Sequence, residues 1–225
     1  GSMSDANKLP LVKESMKLLV EQLGENDRIA IVTYSDTAEL KLDTTPGSDK
    51  GPILAAIDSL HADGSTNGAG GIQLAYETAT KHFAPEAANL VILCTDGDFN
   101  VGVSDDDALV KMIEEKRQTG VFLSVFGYGM GNLKDAKLEQ LADKGNGHYG
   151  YIDDLDEARK VFLEELTGTL YTIAKDVKLQ VEFNPARVGA YRLLGYENRL
   201  LAAADFNNDA VDAGELGAGH TVPAL

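Results

Sequence analysis

Apolar residues recur at helical spacing over residues 9–23: Leu11, Val12, Met16, Leu19, Val20 and Leu23 share one face, and Gly24 follows as a stop. The period then changes. Residues 28–35 (RIAIVTYS) are β-branched and mostly apolar, which predicts a buried strand, with residues 38–42 as a short partner across a turn. Helices are expected over 53–60 and, after the Gly-rich turn at 65–71, over 71–83; NLVILCT (89–95) is the next strand. Further on the pattern predicts a helix over 105–119 capped by Ser104, a strand over 121–127, a helix over 133–144 ended by Gly145, a strand over 148–152 and a longer helix from 155 to about 174. Strands separated by helices of about 10 to 15 residues imply an α/β fold, a doubly wound and mostly parallel sheet covered on both faces. After about residue 176 the alternation stops, and VKLQVEF, AYRLLGYEN and GHTVPAL read as strands with no helix between them. The expected organisation is therefore an α/β domain over 1–175 and a β-rich, antiparallel extension over 176–225.

Composition narrows the function. With 44% hydrophobic and 25% charged residues in 225, the chain has the balance of a globular protein rather than a disordered one. Its net charge of −16 repels phosphate backbones, so nucleic acid is not an expected partner, while cations and basic protein patches are favoured. No apolar run approaches the ~20 residues of a membrane span, and no signal peptide is visible at the start. Cys94 is the single cysteine, which excludes an internal disulfide and a thiolate zinc cluster.

In an open α/β sheet, ligands bind beyond the carboxyl ends of the strands. Three segments qualify: Asp96-Gly97-Asp98-Phe99-Asn100 after the strand ending at Thr95, Gly64-Ser65-Thr66-Asn67-Gly68 before a helix, and the opening Gly1-Ser2-Met3-Ser4. Hydroxyls with carboxylates are hard oxygen ligands suited to Mg²⁺, Mn²⁺ or Ca²⁺ rather than zinc. Each segment also has a plainer reading, Thr66 in a helix-capping turn and Asp96 as a turn former after a strand. Cys94 reads as a small core hydrophobe, since no histidine is placed to activate it, and His61, His82, His148 and His220 are scattered too widely to form a ligand set. The acidic stretch from Asp205 begins like a calcium loop but has Ala210 at the sixth position and Leu216 at the twelfth, where glycine and a bidentate glutamate belong. Enzyme motifs fare poorly. Asp96-Gly97-Asp98 has the form of an aspartyl phosphotransferase nucleophile, but Asn100 replaces the Thr or Val expected two places on. Gly127-Tyr128-Gly129-Met130-Gly131 places its third glycine one residue early for a dinucleotide loop. No pairing of a general base with a nucleophile can be nominated.

At these residues the chain resembles the von Willebrand factor type A domain, in its bacterial, YfbK-like branch. The resemblance runs through NKLPLVK, RIAIVTYS, GSTNGAGGIQLAY, LCTDGDFNVGV, GVFLSVFGYGMGN and LADKGNGHYGYID to VEFNP, YRLLGYENRLL and DAGELGAGH near the end. The family's metal-ion-dependent adhesion site joins an Asp-x-Ser-x-Ser loop to a Thr and an Asp from two later loops. Thr66 and Asp96 match these last two, and Ser2 matches the final Ser. The Asp and first Ser have no counterpart here, and Gly1-Ser2-Met3 reads equally as the end of the motif or as a cloning remnant.

The resemblance implies a protein-interaction module, not an enzyme, in which a divalent metal, Mg²⁺, Mn²⁺ or Ca²⁺, bridges Ser2, Thr66 and Asp96 to a carboxylate on a protein partner. With one matched carboxylate to offset dehydration of the ion, weak or absent metal binding is expected, with Asp5 and Asp98 as imperfect substitutes. A structural or assembly domain with a vestigial metal site is the alternative, and a phosphotransferase a distant third. Cell envelope or periplasm is the location the family suggests. The family also places a central strand before Gly1, so the strands at 28–35 and 89–95 are expected to present edges that some other segment fills.

Overall fold

The computed structural model describes residues 2–62, 64, 66–96, 106–129, 135–164, 172–192, 201, 202, 205, 206, 208 and 214–217. A 3₁₀ turn at Ser2–Ser4 leads into helix α1 (Leu9–Gln22), which carries Pro10 in its first turn, where a missing N–H costs nothing. Strands β1 (Arg28–Tyr34) and β2 (Ala38–Pro46) form an antiparallel hairpin, followed by α2 (Lys50–Asp58) and α3 (Gly68–Lys81). The ammonium of Lys50 donates to the Val20 and Leu23 carbonyls and so caps the end of α1. Then β3 (Leu90–Thr95), α4 (Asp106–Arg117), β4 (Phe122–Tyr128), α5 (Asp135–Lys144), β5 (Tyr149–Ile152) and α6 (Leu155–Arg159) alternate. Strands β3, β4 and β5 lie side by side in that order, all parallel.

The period of two along these strands feeds two separate cores. Val91 and Leu93 of β3, with Leu123 and Val125 of β4, face Ile72 and Tyr76 of α3, Leu109 and Ile113 of α4 and Leu138 and Leu141 of α5. The intervening Ile92, Cys94, Phe126 and Tyr128 face Leu11, Val12 and Leu19 of α1 together with Ala158, Val161 and Phe162. Phe126 and Phe162 meet edge to face at 5.1 Å. Helices therefore cover both faces, and the α/β, doubly wound architecture is the one the pattern predicts. A third cluster joins Val20 of α1 to Ile53 and Ile57 of α2 above the β1–β2 hairpin.

The hairpin and the parallel sheet are distinct. Among the described residues no strand pairs with β1 on its side away from β2, or with β3 on its side away from β4. Helix α3 packs on both β1 and β3, and the Tyr34 hydroxyl at the end of β1 donates to the Cys94 carbonyl of β3 at 3.1 Å. The described strands of the extension do not enter this seam, because β6 (Thr172–Val177) pairs antiparallel with β7 (Gly214–Gly217) alone.

That extension departs from expectation in its details. The helix predicted to run to about 174 ends its α-helical part at Arg159 and continues as a π-helical turn, Lys160–Glu164, while 172–177 is strand. Thr172, Ile173 and Val177 are β-branched, and pairing with β7 overrides a helical reading of local sequence. Most of VKLQVEF is irregular despite its alternation, leaving Leu179, Val181 and Phe183 at 76%, 64% and 41% exposure. Alternation needs a partner ladder to become a strand, and among the described residues this segment has none. Residues 193–198 of AYRLLGYEN, all of GHTVPAL and the Ser104 cap lie outside the described residues. Leu216, the twelfth position of the imperfect calcium loop, sits in β7 opposite Ala174.

Candidate functional site

The carboxyl ends of β1, β3 and β4 and the start of α1 converge on one mouth. At the end of β1, the Ser35 carbonyl accepts from the Asn67 backbone N–H at 2.7 Å, which ties the loop carrying Thr66 to the strand end. Asn67 itself caps α3, its side-chain oxygen accepting from Gly70 N–H at 3.0 Å. Half-buried Thr66 immediately precedes this cap. Gly71, one turn into α3, lies against the Tyr34 ring, where a Cβ would come within 2.7 Å of Cδ1. At the end of β3 stands Asp96, 6% exposed. Ser2 lies in the 3₁₀ turn that leads toward α1.

Lys8, the residue before α1, supplies a partner for Asp96 that is not legible from sequence. Its Nζ lies 3.1 Å from Asp96 Oδ2, across 88 positions of sequence, with the two side chains 13% and 8% exposed. Asp5, largely exposed, is a weaker second carboxylate at 3.9 Å. The lysine stem crosses Gly129 at the end of β4, where φ is +90° and a Cβ would come within 2.5 Å of Lys8 Cε. Only glycine suits that position. The Gly129 carbonyl in turn accepts from the Tyr151 hydroxyl at 2.9 Å. The Gly-Tyr-Gly run that fails as a dinucleotide loop thus serves as a bed for a lysine.

Enclosure governs the groups behind the mouth. Burial pushes the Cys94 thiol up from 9.0 to about 12, with a hydrogen bond involving Tyr128 opposing it, so the thiol stays neutral as a core hydrophobe should. Burial likewise raises the Tyr34 phenol, opposed by a hydrogen bond to Thr95.

Hydroxyls of Ser2 and Thr66 with the carboxylate of Asp96 suit a hard divalent ion by donor chemistry. In the arrangement described, however, the positive charge at Asp96 is the Lys8 ammonium. Among the described residues no three carboxylates, histidines or cysteines gather into a metal-binding group.

A parallel sheet wrapped by helices on both faces, with hydroxyl- and carboxylate-bearing loops at its carboxyl end, defines an open α/β module. The chain belongs to the von Willebrand factor type A domain family, whose profile matches residues 1–166; the profile described as the C-terminal part of the uncharacterized protein YfbK matches residues 168–225. YfbK of Escherichia coli is 51% identical over 225 residues, all of this chain and 39% of that protein. The chain thus spans about two-fifths or less of the length of the curated relatives it matches. An aerotolerance-related membrane protein from Bacteroides fragilis superposes with a TM-score of 0.60 over 73% of this chain and 92% of its own, at 21% identity. Proximal thread matrix protein 1 from the mussel byssus, in a form with a zinc-occupied metal-ion-dependent adhesion motif, gives 0.54 over 73% of this chain and 41% of its own, at 26% identity.

Proposed function

We propose that the chain is a protein-interaction module that captures a carboxylate of a protein partner at the mouth between β1 and β3, with Ser2, Thr66 and Asp96 as the residues that would hold a divalent ion there. When bound, the ion would supply the positive charge that an acidic side chain seeks. The chain's own residues do the rest. The loop before α3, tied to the end of β1 and capped by Asn67, brings Thr66 to the strand ends, and the dipole at the start of α3 favours an anion at the same place. The observation that carries this reading is the nearly buried Asp96 at the carboxyl end of β3, on the same side of the sheet as the Thr66 loop anchored to the end of β1. Metal occupancy of the same motif in the mussel protein supports it. Nothing in the described mouth pairs a base with a nucleophile, so capture without turnover is the proposed outcome. The membrane description of the Bacteroides protein supports placing this chain at the cell envelope.

The second reading, an assembly domain with a vestigial metal site, is favoured by the Lys8–Asp96 pair, in which an ammonium already neutralises the Asp96 carboxylate. A pull-down from the source cell's extract with the full-length protein separates the two. The interaction reading expects partners that require a divalent ion, leave on chelation and are lost in Thr66→Ala while the fold survives. Partners retained equally in all three conditions would promote the vestigial reading.

A further inference from the structure

The Lys8–Asp96 pair differs from the other ion pairs near it in kind. Lys17–Glu14, Arg159–Asp156 and Lys160–Glu157 join neighbours three residues apart, and Lys17–Asp58 and Lys144–Glu114 join separate helices through solvent-accessible side chains, where such pairs contribute little. Lys8 instead reaches from the start of α1 to the end of β3, with both side chains nearly enclosed. Its stem lies in a bed that only glycine at position 129 permits. Such an arrangement holds the ammonium at one place rather than leaving it to sample solvent. A divalent ion takes carboxylate oxygen at about 2.0 to 2.6 Å. Coordinated through Asp96 Oδ2, the oxygen that Lys8 holds, it would stand within about 6 Å of an ammonium still at its present position, with like charges repelling through a partly enclosed site. One carboxylate cannot serve both cations well.

We infer that Lys8 is a tethered cation that competes with divalent metal for Asp96, so that the mouth carries its own inhibitor and admits an ion only by displacing the lysine. This rests on the reading of Asp96 as a ligand given above. It makes metal affinity at this mouth depend on a specific side chain. The neutral side chain of glutamine at position 8 keeps a donor for Asp96 but removes the charge, and methionine removes both.

The test is titration of the chain with Mn²⁺ alone, by calorimetry and by the loss of the free-ion electron spin resonance signal, in the parent and in Lys8→Met, Lys8→Gln and Lys8→Arg. Methionine and glutamine are expected to tighten Mn²⁺ binding by tenfold or more, and arginine to leave it as weak as in the parent. Adding Asp96→Asn to Lys8→Gln should abolish the gain. Thermal unfolding gives a second readout. The melting temperature of Lys8→Gln should rise with Mn²⁺ while the parent responds little, and the glutamine variant keeps the test open if methionine fails to fold. Equal Mn²⁺ affinity in parent and neutral variants, with binding still dependent on Asp96, would overturn the competition and leave the ligand assignment standing. Binding that ignores Asp96→Asn, or no Mn²⁺ binding in any variant, would overturn both.

Discussion

Replacing Tyr34 by phenylalanine removes a single oxygen from the seam between the hairpin and the parallel sheet, and its effect can be worked out at two pH values. At pH 7 the variant loses the hydrogen bond to the Cys94 carbonyl and leaves that acceptor without its hydroxyl partner. A partly buried bond of this kind contributes about 1 kcal/mol, and an acceptor left unmade adds to the loss, so about 1 to 2 kcal/mol is expected. For a domain of this size that lowers the melting temperature by roughly 2 to 8 °C. Above pH 10 the difference shrinks. Enclosure, opposed by the hydrogen bond to Thr95 and reinforced by Cys94 and Asp96, raises the Tyr34 phenol above its ordinary 10.0. Below pH 10 both folded and unfolded chains keep the proton and the contribution is whole. Above it the unfolded chain ionises first, binds fewer protons than the folded one, and stability falls as pH rises. Phenylalanine has no such proton to lose, so its stability should fall less steeply, by up to about 1.4 kcal/mol per pH unit. The two stability curves should therefore converge between pH 10 and 11.5. Urea unfolding followed by circular dichroism at pH 7 and across that range measures both effects. A variant as stable as the parent at pH 7, with an unchanged alkaline slope, would show that the hydroxyl does not bridge the seam.

Two further outcomes follow from the packing. At Gly147 a Cβ would lie 2.1 Å from the Leu123 carbonyl oxygen and 2.4 Å from its carbon, which are backbone atoms that no rotamer change can move. Gly147→Ala should cost about 3 kcal/mol or more in chemical unfolding, and a loss under 1 kcal/mol would mean the β4 backbone yields there. The Cys94 thiol, pushed up to about 12 by burial, should resist iodoacetamide in the native chain at pH 8 and react readily in urea. Rapid labelling of native protein would place it at an accessible surface instead.

Much of the α/β body was legible because its strands and helices alternate period two with period 3.6 without conflict. The hairpin partner of β1, the two-faced burial of β3 and β4, and the helices before and between them all follow from apolar spacing alone. The C-terminal extension was not, since a strand is decided by its partner. Residues 172–177 found one in 214–217, whereas 178–184, better patterned, found none among the described residues. Thr66 and Asp96 could be nominated because loops at strand ends carry chemistry, and resemblance supplied their pairing. Lys8 gave no signal of its own. It sits among Lys13 and Lys17 on the approach to and along an amphipathic helix, and only the topology that sets the start of α1 over the ends of β3 and β4 distinguishes it. Glycine at 129 was visible in the sequence, but its purpose depends on the lysine above it.

The interruption between the hairpin and the parallel sheet has a consequence for how the molecule opens. Within each sheet, strands are coupled by a ladder of backbone hydrogen bonds, but across the seam the described coupling runs through the packing of α1 and α3, the backbone bond from Asn67 to Ser35 and one phenol. Packing of this kind transmits cooperativity only while its contacts persist. The hairpin closes over a short turn and needs little loop entropy to form, whereas β3, β4 and β5 must be assembled through two helical crossovers. Native-state hydrogen exchange should therefore resolve two opening free energies, with the amides of β1 and β2 released at the lower. Truncating Ile72, which packs at the centre of the α3 face, should widen the gap between them. A strand ladder spanning both bodies would merge the two into a single unit, so the exchange pattern is itself a gauge of whether the seam is filled.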